Sequence, residues 1–180
     1  MDVNLGFDKD TLGGLINRVK EDPELGKTVW TATTRWNQGF ASEATMRSHT
    51  VPMDEPNQLG GSDTGPNMVE MVLGAYGCCL STGFVANAGM LGIELEGVEI
   101  SLAGDLDLQA FFGLKSPEEV SPGYTEVRAT VNLTAPGATE DQLKHLYDSV
   151  IATSPVGGII SRPVKVVTEL KIASSRLGHG

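Results

Sequence analysis

The stretch Gly60-Gly61-Ser62-Asp63-Thr64-Gly65-Pro66-Asn67-Met68-Val69-Glu70-Met71-Val72-Leu73-Gly74-Ala75-Tyr76-Gly77-Cys78-Cys79 carries the only two cysteines of the chain, adjacent and inside an apolar run. Gly and Pro punctuate its first half, and the apolar run that follows is too long for a strand. Glu70 falls in the first turn of the helix this predicts, where a carboxylate complements the positive end of the helix dipole. The pattern predicts one long helix over residues 67–91. Its small residues (Gly74, Ala75, Gly77, Cys78, Ser81, Gly83) let another element approach the backbone closely, which makes this helix central. Redox chemistry, if the chain has any, starts on it.

Working outward, residues 1–26 read as an amphipathic helical extension with Leu12, Leu15, Ile16 and Val19 on one face and Asp22-Pro23 closing it; residues 27–180 read as a single domain. Thr28–Thr34 and Phe40–Met46 alternate as strands around Trp36-Asn37-Gln38-Gly39, a predicted hairpin, and Val51–Gly65 is a polar connection. Beyond the long helix, Gly97–Leu108 and Tyr124–Leu133 alternate as half-buried strands, with the apolar patch Phe111-Phe112-Gly113-Leu114 between them. A second helix is signalled by Thr139 as N-cap with Gln142 three residues later, then Leu143, Leu146, Tyr147, Val150 and Ile151 along one face. It stops before Ser154-Pro155, and Pro163–Ile172 reads as a last strand. Hairpin, long helix, meander, helix and strand in that order make an α+β domain with mostly antiparallel sheet.

Composition narrows the function classes. With 180 residues and 40% apolar content the chain can build one proper core. A formal charge of -10 with scattered Lys and Arg argues against nucleic acid as a partner. Two adjacent cysteines are no disulfide framework and, with three histidines, no thiolate zinc site, and there is no Gly-rich nucleotide loop, so neither metal nor cofactor is expected. The N-terminus lacks a basic segment followed by an apolar one. No run approaches the roughly 18 consecutive apolar residues of a membrane span, although Met68–Leu91 is fairly apolar. The expectation is a cytoplasmic protein without membrane contact.

Consecutive helical residues point about 100° apart, so Cys78 and Cys79 cannot both face one packing partner. One can face a pocket while the other packs as a small hydrophobe. A thiolate held there by a cation is a nucleophile suited to a peroxide oxygen. His49, His145 and His179 form no evident triad with either thiol.

Gly60-Gly61 through Gly65-Pro66, Glu70-Met71-Val72-Leu73 and a Cys nine residues after that Glu resemble the signature of the OsmC/Ohr family of thiol peroxidases. Gly104-Asp105-Leu106-Asp107, Pro122-Gly123 and Ser154-Pro155-Val156 match further pieces in order, so the resemblance covers Thr28 to Ile172. It implies an intertwined homodimer with mostly antiparallel sheets around two central helices and active sites at the subunit interface. It also implies reduction of organic hydroperoxides in an oxidative or osmotic stress response, without a cofactor. Cys79 falls on the peroxidatic position, Glu70 on the helix-start Glu, and Arg35 is the nearest match for the family's Arg, with Arg47 as substitute. The chain departs from the pattern where peroxidases of the family have a second Cys: Ser154 stands there and cannot form a disulfide. This leaves a one-Cys cycle completed by an external thiol reductant, or a catalytically weak dimer that binds a small apolar ligand between subunits. Phe111, Phe112 and Leu114 are candidates either for an apolar wall of the substrate site or for the dimer core. On a regular helix Glu70 lies about 13 Å along the axis from Cys79, so charge at the helix start is its alternative role.

Overall fold

The computed structural model describes residues 3–172, so His179 lies outside them. The elements run α1 (Lys9–Glu21), β1 (Thr33–Gln38), β2 (Ala41–Met46), β3 (His49–Met53), α2 (Met68–Leu91), β4 (Gly97–Asp105), α3 (Leu108–Phe111), β5 (Glu126–Thr134), α4 (Glu140–Thr153) and α5 (Pro155–Ser161). β1-β2-β3 form one antiparallel meander and β4-β5 a separate antiparallel pair, the α+β arrangement expected from the sequence.

The two long helices start where their sequences place a cap. Asn67 accepts from the Glu70 amide at 2.8 Å while the Glu70 carboxylate accepts from the Asn67 amide at 2.9 Å, and Thr139 and Gln142 make the same reciprocal pair at the head of α4. α2 ends at Gly92, whose φ of +71° is a left-handed conformation that glycine adopts without penalty. By length and composition α2 is the one helix among the described residues that is long and apolar enough to cross a membrane, a property the count of consecutive apolar residues did not reveal. It lies against β4, α4 and α5.

Alternation in β4 and β5 turns Val98, Ile100 and Leu102 to the same side as Leu133, Val131 and Ala129, which sit directly opposite. That face and one side of α4 enclose α2, and the core is Leu80, Phe84, Ala88, Ile93, Ala135, Leu146 and Val150. Two glycines of α2 permit this approach. A Cβ on Gly77 stands 2.8 Å from Leu102 Cδ1 and one on Gly83 stands 2.8 Å from Val150 Cγ1, both below van der Waals contact. Gly77 and Gly83 are therefore the packing positions of the small-residue stripe, whereas Gly74, Ala75 and Cys78 are exposed. At its C-terminal end α2 also receives the N-terminal segment, with Phe7 against Gly89 and Leu5 against the core cluster.

Five points of the sequence reading are corrected. The predicted first strand, Thr28–Thr34, starts instead at Thr33, because its partner β2 ends at Met46 and leaves Val29 and Trp30 without a ladder. Trp36–Gln38 belongs to the strand, with an irregular register there, and the turn falls at Gly39-Phe40. Val51–Met53, expected as connection, belongs to the strand His49–Met53: Pro52 cannot donate to a ladder, but β3 is the edge of its sheet, where that costs nothing. The second helix stops before Ser154-Pro155 as expected, but Ser154 caps a further short helix, α5, that the sequence reading did not include, and Pro163–Ile172 is extended and exposed with no ladder among the described residues.

The connection between β3 and α2 winds around one carboxylate. Asp54, 1% exposed, accepts from the amides of Glu55 (2.8 Å), Ser62 (3.1 Å) and Thr64 (3.3 Å) and from the Thr64 hydroxyl (3.0 Å). Burial alone pushes its carboxyl up; the Thr64 hydroxyl, then the surrounding amides, outweigh that and hold it below the ordinary value. A folded value below the unfolded one means that this group adds stability above about pH 4 and loses it as pH falls further. Urea unfolding between about pH 3 and 6 is expected to show a shallower acid loss for Asp54→Asn than for the native chain. The same loop packs backbone on backbone at Gly61, where a Cβ stands 1.8 Å from the Glu55 carbonyl oxygen. Gly61→Ala is therefore expected to cost about 2–3 kcal/mol in denaturant unfolding, because a carbonyl cannot swing aside as a side-chain tip can.

Candidate active site

Cys78 and Cys79 have different surroundings, but neither packs as a core residue: Cys78 is exposed, and Cys79 is half-buried against the turn that joins α4 to α5. Cys79 Sγ lies 3.3 Å from Ser154 Oγ, across 75 residues of sequence. Ser154 is buried, and its hydroxyl oxygen accepts from the Gly157 amide at 3.1 Å, which caps α5, with Pro155 at the first helical position where its missing N–H is not needed. The serine at the predicted resolving position thus faces the predicted peroxidatic sulfur in direct hydrogen-bond contact.

Tyr76 completes this corner. It sits one helical turn before Cys79 on the same side of α2, and Gly157 lets its ring approach α5 closely, since a Cβ there stands 3.1 Å from Tyr76 Cε2. Burial, then the neighbouring Tyr147 and Cys79, raise the Tyr76 phenol above its ordinary value. From Tyr76 and Ser154 a groove of about 850 Å³ runs to Tyr124, walled by Val127, Ile151 and Ile160 and with Glu126 and Arg162 among its polar lining. Tyr124 donates to the Val69 carbonyl at 2.8 Å, with its ring over Gly104, where a Cβ stands 2.5 Å from Cε1. Burial, then the Glu70 charge, raise its phenol as well. From α2 only Tyr76 lines the groove; Cys79 adjoins it through Ser154. At its β5 side Asp105 and Glu126 both pair with Arg128, and the Asp105 carboxyl is held below the usual range by the Arg128 hydrogen bonds.

The other predicted site residues lie elsewhere in the single chain. Glu70 spends its carboxylate on the Asn67 cap. Arg35 is exposed on β1 opposite Glu43, and Arg47 is exposed in the turn after β2, with φ +56°; the meander makes at most marginal contact with α2, and neither arginine lines the groove. Phe111, Phe112 and Leu114 are exposed at 64%, 55% and 70% and do not wall the groove. His49 and His145 are exposed, and neither lines the groove. No group of three or more His, Cys, Asp or Glu with metal-site geometry occurs among the described residues.

Sequence reasoning missed Tyr76, Tyr124 and Arg162. Tyr76 was within reach through its three-residue spacing from Cys79; the other two come to the groove only through the packing of β5 and α5 on α2.

A search of curated proteins finds no match. Among solved structures the chain is similar to an OsmC-like protein from Mycoplasma pneumoniae, with TM-score 0.64, 15% identity and coverage of 75% of this chain and 89% of that one. It is also similar to an organic hydroperoxide resistance protein OsmC from Legionella pneumophila (TM-score 0.53, 15% identity, 74% and 91% covered). An OsmC-like protein of unknown function from Vibrio cholerae superposes with TM-score 0.57 at 13% identity, over 79% of this chain and 99% of that one. These likenesses show the fold. A family model described as OsmC-like protein matches residues 60–169, more than half of the chain and the whole span from the glycine-rich loop through α2, the β-pair, α4 and α5, so the chain belongs to the OsmC-like protein family.

Proposed function

We propose that this chain is a thiol-dependent reductase of organic hydroperoxides that works with a single catalytic cysteine, Cys79, in a reducing compartment such as the cytoplasm. The observation that carries the reading is a half-buried thiol in contact with Ser154, a residue that lines an open, partly apolar groove, in a family that includes organic hydroperoxide resistance proteins. The Cys79 thiolate attacks the distal peroxide oxygen; the O–O bond breaks, the alkoxide leaves and takes up a proton as alcohol, and the sulfur becomes sulfenic acid. With Ser154 opposite, the next step belongs to an external thiol, which condenses with the sulfenic acid and releases water. A second equivalent reduces the mixed disulfide and restores Cys79.

The reading includes a homodimer. Apolar side chains on one side of α2 (Val69, Val72, Met90, Leu91), on the approach to β1 (Val29 at 91% and Trp30 at 82% exposed) and along the C-terminal extended segment (Val166, Leu170) lie open in one chain. Surface of this extent is what a partner subunit covers. Arg35 keeps its candidate role as the thiolate's cation within such a dimer, where the meander docks over a neighbouring α2. Light scattering after gel filtration is expected to give twice the 19.0 kDa of the chain.

The test of the redox function is intact mass after brief exposure of reduced protein to cumene hydroperoxide with a sulfenic-acid trap, followed by peptide mapping. Stoichiometric adduct on Cys79 is expected. A second reading is favoured by one specific observation, Ser154 in direct contact with Cys79: a dimer that binds a small apolar ligand in the groove without turnover. A thermal upshift with apolar carboxylates or aldehydes, together with a Cys79 inert to peroxide, selects it.

A further inference from the structure

We infer that Ser154 is the hydrogen-bond donor that holds Cys79 in its reactive thiolate form, and that the residue at this position tunes the nucleophile rather than merely lacking a resolving sulfur. The inference rests on the reading of Cys79 as the reacting thiol. A serine hydroxyl has one proton to give and two lone pairs to accept with. One lone pair is taken by the Gly157 amide at 3.1 Å, which fixes the oxygen at the head of α5. The hydroxyl proton is left to be donated, and the Cys79 sulfur lies 3.3 Å away. While Cys79 is protonated either group can donate; once it is ionised only Ser154 can, so the contact favours the charged form. Ser154 is only 9% exposed, so little water competes for that proton. Gly157 keeps the arrangement open: a Cβ there stands 3.2 Å from the Ser154 side chain and 3.1 Å from the Tyr76 ring.

The consequence is testable without any peroxide. In a Cys78→Ser background, where Cys79 is the only thiol, the rate of alkylation by iodoacetamide is measured at about pH 7 and about pH 10, the second being above the ordinary range for a thiol. Ser154→Ala is expected to slow alkylation about tenfold at the lower pH, the size of one charge-assisted hydrogen bond, and to match the Cys78→Ser parent at the higher one. Ser154→Thr, which keeps the hydroxyl, restores the parent rate. Ser154→Asp keeps a side chain that can cap α5 but offers no proton, and is expected to be at least as slow as the alanine variant at pH 7, even if the alanine variant unfolds. A parent rate at pH 7 in Ser154→Ala or Ser154→Asp overturns the inference. So does a deficit in Ser154→Ala that persists undiminished at pH 10, since that reports access or misfolding rather than ionisation. Normal variant-dependent alkylation in a protein that consumes no hydroperoxide sinks the proposed function and leaves the role of Ser154 standing.

Discussion

Replacing Cys79 by serine lowers hydroperoxide consumption by more than about 100-fold, because a serine hydroxyl at neutral pH supplies almost no anionic nucleophile where a thiol does. Cys78→Ser retains most of the activity. The two residues are neighbours in sequence with different surroundings: Cys78 is exposed, whereas Cys79 is half-buried and contacts Ser154. They also cannot exchange roles by forming a bond, since a disulfide between consecutive residues does not fit regular helix geometry. Consumption of cumene hydroperoxide followed with an excess of small-molecule thiol, in the two single variants, separates them. Equal activity in both ends the assignment of Cys79 as the nucleophile.

Replacing Phe84 by alanine costs about 3–5 kcal/mol and lowers Tm by on the order of 10 °C. Phe84 is fully buried in the middle of α2 and its ring stacks on Tyr147 of α4 with centroids 6.4 Å apart. It stands among Leu80, Leu146 and Val150, each at most 1% exposed, so most of the void is walled by side chains that are themselves closely packed. The contact between α2 and α4 also positions the end of α4, and hence Ser154. Thermal and urea unfolding of Phe84→Ala measure the loss; a cost under about 1 kcal/mol contradicts a well-packed core at this point.

How much of this was legible beforehand depends on whether the deciding interaction is local. The capping boxes at Asn67/Glu70 and Thr139/Gln142 are written within four consecutive residues, and both helices were found with their boundaries nearly right. The strands β4 and β5 announce themselves by alternation, because one face packs on α2 and the other meets water. β3 was hidden by Pro52, whose acceptability depends on the strand being an edge, a fact of topology. Pro163–Ile172 shows the converse error: its residues favour extended backbone, yet propensity specifies a conformation and not a neighbour. α5 carried a local signal, Ser-Pro followed by apolar Val156, Ile159 and Ile160, that was read only as the end of the preceding helix. At the site, Cys79 stood out through its motif and helix, but the groove is assembled from α2, the segment before β5 and α5. No window of sequence contains it. Arg35 illustrates the limit, since a motif position gives an identity without a place in space.

The contact between Cys79 and Ser154 spans 75 residues, with β4, β5 and all of α4 folded between them. Closing so long a loop carries an entropic cost that is recovered only after the intervening elements are in place, so this contact belongs to the late events of folding. Until then the thiol on the already helical α2 has no hydroxyl beside it and no turn over it. The nascent chain therefore passes through a stage in which its sulfur is open to oxidants but not yet tuned by its neighbour. Any opening that lifts α5 away returns the mature protein to that stage, so hydrogen exchange at the Gly157 amide, which is held by the same serine, reports how often the sulfur is left uncovered.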